Sequence, residues 1–342
     1  MDANRFGEHA GQFALGTYSA AGGPFAGLVV GERVRDLTED PGLWGEAAPS
    51  ARTVNALLSD WDASFARLAE LASSADGRWL AADDVRALPP VTPGQILQSG
   101  ANYRKHVVDI VMAERRADAS MTGHNSDQSE AEVRAWAEGM MDARAADGTP
   151  YVFIGLPGAM CGAFDDVVLP SRGSQHDWEL ELAAVIGRPG RNIPRADALS
   201  YVAGYTICND LTTRSLVYRR DLKAIGTDWF AAKNSPTFLP TGPYLVPAAF
   251  VPDPSCLQIT LRHNGAVRQD ESTKDMIFDL PALIAYVSTV TALRPGDLLL
   301  TGSPAGNGAH WGVFLEPGDI LDAEITGLGR QRNLCVSEEG ER

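Results

Sequence analysis

The sequence predicts a β-rich α+β protein in which a small N-terminal domain precedes a larger, sheet-dominated one. Short apolar runs recur after residue 95, at 183–186, 201–208, 257–261, 298–301 and 320–325. Gly and Pro punctuate them in the manner of strands joined by turns rather than alternating strand–helix units. The stretch Leu88-Pro89-Pro90-Val91-Thr92-Pro93 reads as a linker, which divides the chain into domains at 1–92 and 93–342. With 342 residues, 44% of them hydrophobic and 21% charged, the chain has enough apolar surface for a substantial core.

Taken in order, residues 25–30 read as a strand and 54–71 as an amphipathic helix. Residues 110–148 differ in texture, being polar, charged and Ala-rich, with helical spacing from Ser129 to Trp136. They are expected to form a helical, lid-like insertion. The acidic tail from Ser337 to Arg342 is expected to fray.

Twenty-nine basic against forty-four acidic side chains give a net charge of −15, a field that repels phosphate backbones and anionic headgroups. Nucleic acid and membranes are therefore not expected partners, and any anionic substrate needs local positive charge at its site. Cys161, Cys208, Cys256 and Cys335 form no C-x-x-C pair, so neither a zinc ribbon nor a disulfide framework is indicated. The N-terminus has no apolar stretch after a basic one, and no apolar run reaches the length of a membrane span. A cytoplasmic location is the expectation.

The strongest local signal is His176-Asp177-Trp178-Glu179-Leu180-Glu181-Leu182-Ala183-Ala184-Val185-Ile186-Gly187. On a strand Glu179 and Glu181 share a face, while Leu180 and Leu182 point the other way. Two adjacent carboxylates running into an apolar core repel each other unless a cation or a proton lies between them. Asp210, at the end of the apolar run Gly204-Tyr205-Thr206-Ile207-Cys208-Asn209, can close the cluster. Three carboxylates with no His or Cys nearby in sequence point to Mg²⁺ or Mn²⁺, with Ca²⁺ as an alternative, and match zinc poorly.

These segments resemble the metal-binding core of the fumarylacetoacetate hydrolase superfamily. Gly100-Ala101-Asn102-Tyr103-Arg104-Lys105-His106 is similar to the family's G-x-N-Y-x-x-H entry. Lys233-Asn234-Ser235-Pro236-Thr237-Phe238 and Thr241-Gly242-Pro243 resemble its K-x-x-D-T-F…G-P stretch. Gln269 to Phe278 and Thr301-Gly302-Ser303-Pro304-Ala305-Gly306 resemble its last two signatures. The resemblance covers roughly residues 96–328.

The resemblance implies a mixed β-sheet roll or barrel with the metal on Glu179, Glu181 and Asp210, and a small oxo-acid substrate. Lys233 would place positive charge beside the substrate oxygens. Tyr103, Thr301, Gly302 and Ser303 are the implied substrate contacts, the backbone N–H groups of the glycine turn holding a carboxylate. His106 would be a general base oriented by Asp109 one helical turn on, where the family commonly has Glu; Glu114 is a substitute for that acid. Arg214 would orient nearby carboxylates, and a homodimer is implied. His310, beside Trp311 after the glycine turn, could border the site, although no spacing assigns it a role, and His124 is left to solvent.

The activity expected from this resemblance is metal-dependent hydrolysis of a C–C bond in a 2,4-dioxo acid or a related ring-fission product, through an enolate stabilised by the metal. The alternatives are a decarboxylase, lyase, hydratase or tautomerase of a 2-oxo acid, or a catalytically weak binding protein. In two places the chain departs from the family. Phe153-Ile154-Gly155-Leu156-Pro157 lacks the lysine of an F-x-K-P-like stretch, and the insertion is longer than usual. Both point to a bulkier or more apolar substrate than an acylpyruvate.

Overall fold

A computed structural model describes residues 5–117 (backbone only for 113–117), 129–219, 221, 224 and 226–338. The architecture is β-rich α+β, as the sequence predicts. The N-terminal five-stranded sheet runs in the order Arg78–Ala81, Arg33–Asp36, Gly23–Val30, Ala14–Ala20 and Arg86–Leu88, with every pairing antiparallel.

The helix expected over residues 54–71 is instead two, Val54–Leu58 and Trp61–Ala72. Polar side chains break it. Ser59 Oγ donates to Asn55 O at 3.1 Å, and Asp60 takes a non-helical backbone as the next helix's N-cap residue.

This N-terminal layer shares a core with the rest of the chain. Phe13, Leu15 and Leu28 pack with Ala183, Val185 and Leu298, and Leu15 and Leu245 exchange backbone hydrogen bonds of 2.9 and 2.7 Å.

The central sheet has eight strands among the described residues. Seven run in the order Tyr151–Gly155, Ile96–Gly100, Leu298–Leu300, Leu180–Ile186, Val202–Asn209, Leu239–Thr241 and Met160–Gly162, and Val246–Pro247 also pairs with Val202–Asn209. The sheet is mixed: Leu298–Leu300 runs parallel to Ile96–Gly100 and antiparallel to Leu180–Ile186. Both middle strands are buried along their whole length, as a strand covered on two faces must be. Side chains of Leu180–Ile186 alternate between two cores, with Leu180, Leu182, Ala184 and Ile186 in one and Ala183 and Val185 in the other. A further five-stranded sheet, Ala266–Ser272, Gln258–His263, Ile320–Ile325, Arg330–Ser337 and Val167–Leu169, packs against the first of these cores.

Within residues 110–148, the helices Arg104–Ala117 and Glu130–Asp147 pack through a small cluster of Val108, Val111, Met112, Val133 and Ala137. Ser129 opens the second helix with a reciprocal capping box to Glu132. Residues 118–128, with His124, and residues 339–342 of the tail lie outside the described residues. No described helix is long and apolar enough to cross a membrane.

Candidate metal centre and its cavity

Strand pairing builds the acidic cluster. Leu180 lies opposite Asn209 and Glu181 opposite Cys208, so Glu179 and Asp210 flank the same end of the ladder. The Asp210 N–H donates to Glu179 O at 2.8 Å, and the Glu179 N–H donates to Asn209 Oδ1 at 2.9 Å. Glu179, Glu181 and Asp210 are buried, and one carboxylate oxygen from each lies within 4.8 Å of the others.

Lys233 closes the helix Trp229–Lys233, which Asp228 caps. Its ammonium, 2% exposed, reaches Glu179 Oε2 at 2.6 Å, Asp210 Oδ2 at 2.8 Å and Asp210 O at 2.6 Å. Arg214 donates to Asp177 Oδ2 at 2.8 Å and also to Glu179 Oε1. Two more carboxylate oxygens are held by neighbouring groups: Gln98 Nε2 donates to Asp210 Oδ1 at 2.6 Å and Gly302 N–H to Glu181 Oε2 at 2.7 Å.

With all four ionised, Asp177, Glu179, Glu181 and Asp210 carry two more negative charges than Arg214 and Lys233 carry positive ones, the charge of one divalent ion. Burial and the Asp210 carboxylate push Glu181 well above the usual carboxyl range. Burial raises Asp210 to about 6 despite Lys233. Glu179 behaves otherwise: burial raises it, but Arg214 and Lys233 outweigh that and hold it at about 2. Gln98 Oε1 is buried with no partner among the described residues, but it lies against Gly155 rather than the cluster. An all-oxygen, buried, charge-deficient donor set fits a hard divalent cation.

The Gly155 that Gln98 lies against is in the stretch that lacks the family's lysine. A Cβ on Gly155 would lie 2.4 Å from Gln98 Oε1, so the space where a side chain at 155 would begin is taken by the amide that serves Asp210.

The cluster opens into a cavity of about 630 Å³, which His106, Asp109, Lys233 and Ser303 also line. Burial depresses His106 to about 4, partly opposed by Glu179, so its imidazole is neutral near pH 7. Its Nδ1 lies 3.5 Å from Asn307 Nδ2. The expected contact between His106 and Asp109 is not the one made. Asp109 Oδ2 meets His310 Nδ1 at 3.0 Å, because Asp109 faces the short helix Gly308–Trp311 while His106 turns toward Asn307 and the cluster. Glu114 lies where only the backbone is described.

Three of the expected substrate contacts have other partners or surroundings in the structure. Tyr103 is fully buried in the core. Thr301 donates from both its N–H and its hydroxyl to Leu182 O, at 3.0 Å each. The Gly302 N–H is spent on Glu181.

Asp177 went unassigned at the sequence level, although the alternation that marks Glu179 and Glu181 extends one step back to it. It is fully buried and accepts from Arg214 and from the N–H groups of Gly308 and Ala309, which joins the cluster to the helix bearing His310. His310 had no local signal, since Asp109 is 201 positions away.

Residues 95–336 match the family model described as Fumarylacetoacetate (FAA) hydrolase C-terminal. A mitochondrial oxaloacetate tautomerase of Homo sapiens is 41% identical over 189 residues, 55% of this chain and 59% of that protein. The match thus spans less than two thirds of the human protein's length. An uncharacterized protein of Archaeoglobus fulgidus is 34% identical over 261 residues, 76% of this chain and 86% of that one. Among solved structures, maleylpyruvate hydrolase from Sphingobium sp. SYK-6, in complex with manganese(II) ion and pyruvate, superposes with a TM-score of 0.68 at 26% identity, covering 95% of this chain and 99% of that one. A 2-hydroxyhepta-2,4-diene-1,7-dioate isomerase from Mycobacterium marinum gives 0.64 at 27% identity, with coverage of 95% and 99%.

Proposed function

The chain belongs to the fumarylacetoacetate hydrolase family, and from that premise we propose that it interconverts the keto and enol forms of a 2-oxo acid, using Mg²⁺ or Mn²⁺. The observation that carries this reading is the pairing of Asp109 with His310, 3.0 Å apart, which leaves His106 with no carboxylate to orient it toward water among the described side chains. Its likeness to an oxaloacetate tautomerase points the same way.

A divalent ion on Glu179, Glu181 and Asp210 supplies Lewis acidity toward the adjacent oxo and carboxylate oxygens of the substrate. The chain's own groups handle the proton. His310, with Nδ1 turned to Asp109, takes a proton from C3 at Nε2; the C3–H electron pair becomes the C2=C3 bond, the 2-oxo oxygen takes a proton from water to become hydroxyl, and His310 returns its proton to the solvent, so the exchange is neutral overall. Neutral His106 and the Lys233 ammonium are the polar groups for that oxygen, and Lys233 stays charged because Asp210 and Glu179 outweigh its burial.

C–C hydrolysis is the second reading, favoured by His106 beside the cluster and by the full-length likeness to maleylpyruvate hydrolase. The test follows enol absorbance of 2-oxo acids, and pyruvate release from acylpyruvates, with Mn²⁺-loaded protein. Accelerated keto–enol exchange without pyruvate release is expected, and His310→Gln should slow it about 10²-fold. Pyruvate release as fast as the exchange would replace this reading with the hydrolytic one.

A further inference from the structure

Away from the carboxylates and histidines, the same cavity is walled by Ile110, Val217, Phe314, Tyr151, Phe153 and Trp229. Tyr151 and Phe153 alternate on the edge strand Tyr151–Gly155 and so share a face. Tyr151 pairs with Gly100 across the ladder, and a Cβ on Gly100 would come within 2.7 Å of the tyrosine ring. Glycine there leaves the room in which the ring lies. Phe153 stacks on Trp229, with ring centroids 5.0 Å apart and planes 20° from parallel. Lys233 Nζ stands 6.0 Å from the Phe153 ring centroid, so aromatic surface begins beside the ammonium that contacts Glu179 and Asp210.

The cations of the cavity are already committed. Among its described lining residues the only Lys and Arg are Lys233 and Arg214, and both are ion-paired to the acidic cluster. His310 is turned to Asp109. A second carboxylate on a substrate would therefore meet no uncommitted Lys or Arg among the described lining residues, only neutral donors such as Trp229 Nε1 beside ring faces whose negative quadrupole repels it, within a chain of net charge −15.

We propose, resting on the 2-oxo acid reading above, that the substrate is a monocarboxylic 2-oxo acid with an aryl or branched-alkyl group at C3, held by the Tyr151–Phe153–Trp229 wall. The carboxylate and oxo group lie toward the acidic cluster and Lys233, and the apolar group takes the place that a distal carboxylate fills in a dicarboxylic oxo acid.

The test titrates Mn²⁺-loaded protein calorimetrically with 3-phenylpyruvate and with oxaloacetate, and pairs this with keto–enol rates for both. Phenylpyruvate is expected to bind at least about 10-fold more tightly and to show a kcat/KM about 10²-fold higher. Phe153→Ala should weaken phenylpyruvate binding about 10-fold and close the gap; if that variant fails to fold, exposed Tyr151→Ser narrows the gap by the same route. Oxaloacetate binding as tightly as phenylpyruvate overturns the substrate assignment whatever the turnover. Preferential binding of phenylpyruvate without keto–enol exchange of either acid upholds the substrate class and overturns the reaction.

Discussion

The site's two halves are built differently. Glu179, Glu181 and Asp210 sit on or beside the two middle strands of the central sheet, buried, and fixed by a ladder that runs the length of both strands. His106, Asp109, His310 and the aromatic wall stand on helix ends and an edge strand, and the helix pair behind them packs through a cluster around Val133 and Ala137 and is tied by Arg104 to Asp142 and to Glu138 O. A ladder fixes where a side chain sits, whereas helix ends and an edge strand leave more room for residues to be exchanged and repositioned. On the function proposed above, the ion's chemistry belongs to the first half, and proton transfer and substrate choice to the second.

The largest effect expected from testing this contrast comes from Glu181→Gln. It should abolish Mn²⁺ binding by calorimetry and lower activity at least about 10³-fold; unchanged turnover in chelator would remove the ion from the mechanism altogether. Lys233→Met leaves Glu179 and Asp210 buried without their ammonium, and should cost about 3–5 kcal/mol in chemical denaturation of the metal-free protein.

His106 gives a smaller effect, governed by pH. Its folded value of about 4 lies below the ordinary 6.5, so between these values the unfolded chain holds the proton and the folded chain does not. The contribution of His106 to stability is present above about 6.5 and lost as pH falls toward 4. At most about 3 kcal/mol is at stake, and His106→Gln should flatten the wild-type slope across that window in denaturation at stepped pH. Ser129→Ala, which removes the capping box of the helix Glu130–Asp147, should cost about 1 kcal/mol and speed amide exchange in that helix while leaving the strands Leu180–Ile186 and Val202–Asn209 protected. Equal deprotection of those strands would show the two halves to be one cooperative unit.

The same contrast governs what the sequence reveals. Strand Ile320–Ile325 coincides with its apolar run, and the acidic cluster is legible because period-two alternation and strand ends are local properties. The break at Ser59 and Asp60 was hidden because the apolar spacing continues across it. Asp109 meeting His310 depends on how two helices pack, and no spacing encodes that. The glycine turn was read as a substrate cradle, yet Gly302 donates to Glu181 from the neighbouring strand. A backbone N–H has no residue identity to signal which acceptor it will meet.

Asp177 belongs to both halves. It accepts from Arg214, which also holds Glu179, and from the N–H groups at the start of the His310 helix. An ion that altered the hydrogen bonds of Arg214 would act on the Asp177 carboxylate, which also holds the start of that helix. Thermodynamic linkage would make such an effect mutual: whatever free energy an ion contributed to the arrangement around His310, a ligand bound against that arrangement would return as tighter ion binding.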